Sequence, residues 1–135
     1  MAKKTWREKL EIDRKPEVVT IQKPYAGIAA GAKVLISTPR EVDALIRRIP
    51  EGAFATLSEI RQRLARKHGA DTACPLVTGI FLRIASEAAW ERMLAGETGV
   101  TPFWRAVPPR SPLAKKLTCG PAFVAKMQRA EGIDV

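Results

Sequence analysis

Two cysteines and a single histidine are the residues of this 135-residue chain best suited to covalent or metal chemistry. A thiolate at Cys74 or Cys119 is a nucleophile, and His68 has the chemistry of a metal ligand. Cys74 precedes Pro75 at the head of a long apolar-periodic stretch, where a helix dipole lowers a thiol pKa. No base stands near it in sequence, and a buried, inert cysteine is the other reading. An enzyme that uses Cys74 or Cys119 as an alkyl acceptor stays open as one alternative. His68, Cys74 and Cys119 lack the paired spacing of a metal site, so no metal or other cofactor is expected.

Charge carries more information than the nucleophiles do. The net charge is +9. Residues 1–40 hold nine Lys/Arg against four Asp/Glu, residues 41–100 eight against eight, and residues 101–135 six against two. Basic ends around a neutral middle suit a polyanionic partner. Apolar residues at 46% and aromatics at 6% fit an ordinary globular domain. No apolar run approaches the roughly 18 to 20 residues that span a bilayer, so no membrane association is expected. From the charged start, without an apolar segment behind it, no secretory signal is expected, and a cytoplasmic, reduced location is the expectation.

The elements that must position these residues follow from local signals. Trp6 and Leu10 suggest a short helical turn, and Val18-Val19-Thr20-Ile21 is strand-like between Lys15-Pro16 and Lys23-Pro24. Residues 1–36 therefore read as a basic N-terminal arm, partly ordered against a domain at 37–135. Thr38-Pro39-Arg40-Glu41 is a helix start, with Val42, Leu45 and Ile46 on its apolar face and Pro50 after it. Phe54-Ala55-Thr56 suits a short strand or a turn. Thr56 or Ser58 caps the next helix, whose apolar positions are Leu57, Ile60 and Leu64, and which stops at His68-Gly69. A turn at Ala70–Ala73 leads to a long helix, with Leu76, Ile80, Ile84 and Ala88 along one face, ending near Gly96. Pro102 to Lys116 is basic and proline-rich and reads as a strand and a wing-like loop. A closing helix runs from Pro121 to Glu131. The predicted fold is mainly α with a small β element: a winged helix-turn-helix domain with an N-terminal arm.

Four segments in this order carry a family resemblance. They are Ile49-Pro50-Glu51-Gly52 with Thr56, Cys74-Pro75-Leu76-Val77-Thr78-Gly79-Ile80, Pro102-Phe103-Trp104-Arg105-Ala106-Val107, and Glu131-Gly132. Together, over roughly residues 38–133, the chain resembles the C-terminal DNA-binding domain of the O6-alkylguanine-DNA alkyltransferases and their alkyltransferase-like relatives. The third segment sits where that family reads Pro-Cys-His-Arg-Val. The resemblance implies a recognition helix starting near Cys74 and a cysteine–histidine–water–glutamate relay of which only Glu131 remains. Phe103 and Trp104 replace the thiol and the imidazole, and neither side chain is a nucleophile or a base. The transferase reaction at this position is excluded by chemistry, and no catalytic residue is expected here. The family's arginine finger is also missing, with Leu76 and Val77 at the matching place. Leu57 replaces its tyrosine, and Glu91 to Gly99 stands where its asparagine hinge would be.

The resemblance sorts the remaining candidates. Arg61, Arg63, Arg66 and Lys67 on the second helix, and Arg110, Lys115 and Lys116 in the wing region, are candidate phosphate contacts. Lys3, Lys4, Arg7 and Lys9 would add unspecific attraction from the arm. Thr78 and Gly79 are small enough to let DNA approach the recognition helix. Leu76, Pro102, Phe103, Trp104, Arg105 and Glu131 are the candidate base pocket. There Phe103 and Trp104 either stack an extruded base, worth roughly 1–3 kcal/mol, or fill the space themselves. Leu76 is either a wedge between base steps or a core residue, and Arg105 either holds the neighbouring loop or meets a phosphate. The expectation is a monomeric, non-catalytic duplex DNA-binding protein that senses O6-alkylguanine for another repair system, with a repair protein as a further partner. A protein-interaction or RNA-binding module on the same scaffold is the second alternative.

Overall fold

Capping chemistry sets most of the helix boundaries in this computed structural model, which describes residues 4–134. Thr5 and Glu8 form a reciprocal capping box at the start of α1 (Trp6–Leu10). Thr38 caps α2 (Pro39–Arg47) through its side chain, with Pro39 in the first turn. Thr56 and Glu59 form a second capping box on α3 (Leu57–Lys67). Cys74 precedes α4 (Pro75–Leu94) without a side-chain cap. Ser111 caps the short α5 (Pro112–Lys116). The last helix, α6 (Gly120–Glu131), ends at Gly132, whose φ of 75° is the left-handed conformation glycine adopts freely.

Three strands complete a mainly helical fold with a small β element. β1 (Glu17–Thr20) pairs antiparallel with β2 (Lys33–Ile36), Val18 opposite Leu35. β2 pairs parallel with β3 (Thr72–Ala73), Leu35 opposite Ala73. The segment expected as an arm thus supplies the middle strand of the sheet, and Leu10, Val34 and Leu35 are buried. The core gathers Val42 and Ile46 of α2, Ile60 and Leu64 of α3, Leu82 and Ala85 of α4, and Phe103, Val107 and Val124. Among the described residues no helix is long and apolar enough to cross a membrane.

Three expectations are corrected. The stretch 102–116 holds no strand and no strand-borne wing. It forms one turn of 3-10 helix (Phe103–Arg105) and then α5. Its prolines lack the donors a ladder needs, and its free N–H groups close local turns instead, Arg105 on Pro102 and Ser111 on Pro108. Ala70–Ala73, expected as a turn, contains β3, because Leu35 O and Lys33 O accept from Cys74 N–H and Asp71 N–H. On α4 the buried residues are Thr78, Phe81, Leu82, Ala85, Ser86, Glu87, Ala88 and Ala89, whereas Leu76 and Ile80 are 60% and 49% exposed. Apolar residues surround this helix, so spacing alone offers two competing faces.

Glu91 of α4 accepts from the first backbone N–H groups of α1, Trp6 at 3.2 Å and Arg7 at 3.0 Å. A carboxylate at a helix N-terminus is favourable, and it fixes α1 against the C-terminal half of α4. Removing the α3 cap tests the weight of local chemistry. Thr56→Ala is expected to lower unfolding free energy by about 1 kcal/mol in urea titration.

Candidate nucleic-acid interface

The residues matched to the family's active-site motif form a closed knot. Glu131, at the end of α6, accepts two bonds from Arg105, from Nε at 2.8 Å and from Nη2 at 2.9 Å. The Trp104 indole N–H donates to the same carboxylate at 2.8 Å, and the Gly52 N–H at 3.1 Å. Arg105 Nη1 also donates to Ile49 O at 2.8 Å. Hydrogen bonding from Arg105 is the chief cause that holds the Glu131 carboxyl down at about 2, with Trp104, Gly52 and the arginine charge adding to it against burial. A carboxylate so held is a structural anion and has no use as a base near neutrality.

Phe103 is wholly buried, edge-on to Trp104 at 5.4 Å and stacked near Phe123 at 6.2 Å. Gln128 of α6 locks the same turn by donating to Trp104 O and Val107 O. Phe103 therefore offers no free face to a base; the two aromatics fill the space. Arg105 holds the loop after α2 and is spent there.

The six residues expected to line one base pocket are divided. Leu76 lines a groove of about 460 Å³ with Leu57, Gly79, Ile80, Leu113 and Lys116. Pro102, Trp104 and Arg105 line a different hollow of about 520 Å³ beside Arg47 and Gly99. Phe103 and Glu131 line neither. Leu76 is exposed, which corrects its reading as core. Thr78 is buried and donates to Cys74 O at 2.7 Å, so only Gly79 of that pair faces the groove.

The cations are also of two kinds. Arg61 donates to Ala73 O at 2.9 Å and to Thr72 Oγ1 at 3.1 Å, tying α3 to β3. Lys67 pairs with Glu41 at 3.2 Å, and the His68 ring meets the same carboxylate at 2.6 Å. Arg63, Arg66, Arg110, Lys115 and Lys116 are exposed, and none forms an ion pair among the described residues. In α1, Arg7 pairs with Glu97 and Lys9 lies over the Trp6 ring; Lys3 lies outside the described residues.

Sequence reasoning missed Arg83. It follows Leu76 and Ile80 at helical spacing, lines the groove, and reaches across to Lys116 O at 3.5 Å. Its guanidinium lies 5.2 Å from the Trp6 ring centroid. The i, i+4, i+7 pattern was the available signal.

Both cysteines are free thiols. Cys74 is buried, and burial together with nearby Glu87 pushes the Cys119 thiol up to about 11, away from thiolate. Among the described residues no three His, Cys, Asp or Glu side chains gather into a metal-ligand set. No protein-family profile, curated protein or solved structure matches the chain.

The Glu131 knot has a pH signature. A carboxyl depressed from 4.5 to about 2 stabilises the fold fully above 4.5 and loses that contribution as pH falls toward 2. Glu131→Gln is therefore expected to cost about 3 kcal/mol at pH 7. In urea titrations the gap between variant and parent should narrow steadily below pH 4.5.

Proposed function

We propose that this chain is a non-catalytic, duplex DNA-binding protein of the alkyltransferase-like type. In this reading α3 and α4 serve as the helix-turn-helix pair, and the N-terminal half of α4 meets DNA. The observation that carries the proposal is the groove beside that half-helix. Its floor is apolar, with Leu76 and Ile80 exposed, and its lining holds two cations, Lys116, which has no ion pair among the described residues, and Arg83, whose Nε lies 3.9 Å from the Glu87 carboxylate. Apolar side chains suit contact with unstacked bases and cations suit phosphates. Arg110 and Lys115 stand unpaired in the neighbouring 110–116 segment, in the role given to a wing.

The absence of reaction follows from residue chemistry. Phe103 and Trp104 supply neither nucleophile nor base, and Glu131 is neutralised by Arg105. The part left for such a protein is recognition: an O6-alkylated guanine is held and marked for another repair system. The groove, not the Phe103–Glu131 knot, is the place for that base. The apolar, proline-bearing wall at Pro108 and Pro112 is the feature that favours the second reading, a protein-interaction or RNA-binding module.

Fluorescence anisotropy with two duplexes, identical except for one O6-methylguanine, tests the proposal at several salt concentrations. Tighter binding to the modified duplex is expected, with log K falling linearly against log salt. Leu76→Ala should erase the preference without changing Tm, since the side chain is exposed. Equal binding of both duplexes would remove the lesion role, and no binding to either would overturn the DNA reading in favour of RNA or protein partners.

A further inference from the structure

The wing expected after α4 is absent, but a protruding β-ribbon stands elsewhere in the chain. All four residues of β1 are exposed, and β1 is an edge strand paired only with β2. Ile21 N–H donates to Ala32 O, which continues the ladder in the register of Val19 opposite Val34. In an antiparallel pair the alternate residues point their backbone groups outward. The N–H and C=O groups of Val18 and Thr20 therefore face the open edge.

The connection between the strands closes on a tight turn. Tyr25 and Ile28 exchange backbone bonds of 2.9 and 2.8 Å, and Ala26 and Gly27 between them have φ of 50° and 81°. Two positive φ values are the geometry of a turn whose twist matches a ribbon. Tyr25 is 43% exposed beside it.

Two contacts set this ribbon against the N-terminal half of α4. Cys74 N–H, immediately before the helix, donates to Leu35 O of β2 at 2.9 Å. The Arg14 guanidinium, just before β1, lies 6.0 Å from the Phe81 ring centroid.

Charge names the partner. The segment 12–36 carries Arg14, Lys15, Lys23 and Lys33 against Asp13 and Glu17, and none of the four cations pairs with a carboxylate among the described residues. Lysines and prolines at both ends of β1 also discourage pairing with another strand.

We propose that the β1–β2 ribbon is a second duplex-contacting element, which lies on the phosphate backbone next to the track followed by α4. Lys23 and Lys33 meet phosphates, and the outward N–H groups of Val18 and Thr20 supply neutral donors to the same backbone. The inference rests on the DNA reading given above and adds a contact surface to it.

The test compares two doubly substituted full-length proteins of equal charge, Lys23→Gln/Lys33→Gln on the ribbon and Lys126→Gln/Arg129→Gln on α6. Each is titrated with one unmodified duplex across a salt series, with folding checked by circular dichroism and mass by sedimentation. The ribbon variant is expected to lose about 0.9 from the slope of log K against log salt for each phosphate contact removed, while the α6 variant keeps the parental slope. Equal slopes in parent and both variants would overturn the ribbon proposal while leaving the DNA reading intact. So would equal losses in the two variants, or a ribbon variant that changes only self-association. A parent protein that binds no duplex at all would instead remove the reading on which the ribbon proposal rests.

Discussion

One carboxylate organises the C-terminal half of this molecule. Glu131 receives hydrogen bonds from Arg105, Trp104 and Gly52, so it joins the end of α6 to the 3-10 turn and to the loop after α2. A nearly buried ion pair of this kind is costly to break, because either partner left alone is a desolvated charge. Its planar guanidinium also spans to Ile49 O, a geometry that lysine cannot reproduce. The knot determines what these residues can do. Groups that a resemblance would place around a reaction are here committed to holding three segments together, with Phe103 filling the space behind them.

That commitment directs attention to the other side of the 103–116 segment. Val107 and Ala106 are buried, while Pro108, Leu113 and Lys116 turn toward α4. Arg83 spans the groove to Lys116 O and is itself backed by Trp6 of α1. The first helix is thus coupled to the groove through a cation, although its own basic residues are paired or stacked. Bulk charge does not distinguish such cases. Arg61, Lys67, Arg7 and Arg105 all add to the +9 but are engaged within the fold, whereas Arg110, Lys115, Lys23 and Lys33 have no carboxylate partner among the described residues.

Legibility in the sequence followed the range of the interactions. The starts of α2 and α3 were readable because Thr38-Pro39 and Thr56-Leu57-Ser58-Glu59 satisfy their own backbone groups within four residues. The closing helix, expected from Pro121 to Glu131, forms as α6 (Gly120–Glu131). The buried face of α4 was not, because apolar residues surround it and only its neighbours choose between the faces. β3 was not, because two residues become a strand only when β2 arrives from some 38 positions earlier, as between Val34 and Thr72. That Phe103 and Trp104 carry neither a thiol nor an imidazole was visible as letters. The splitting of the expected base pocket into two hollows was not, since it depends on which way the 3-10 turn faces.

On the proposed reading, DNA engages the α4 groove and leaves the Glu131 knot closed. Two-dimensional amide NMR of the protein titrated with a short duplex tests it most directly, because the Trp104 indole N–H donates to Glu131 and reports on the knot itself. The account predicts progressive shifts for amides from Leu76 to Arg83 and from Arg110 to Lys116, with the Trp104 indole signal unmoved. Shifts centred on the Trp104 indole and Arg105, or no shift along α4, would contradict it.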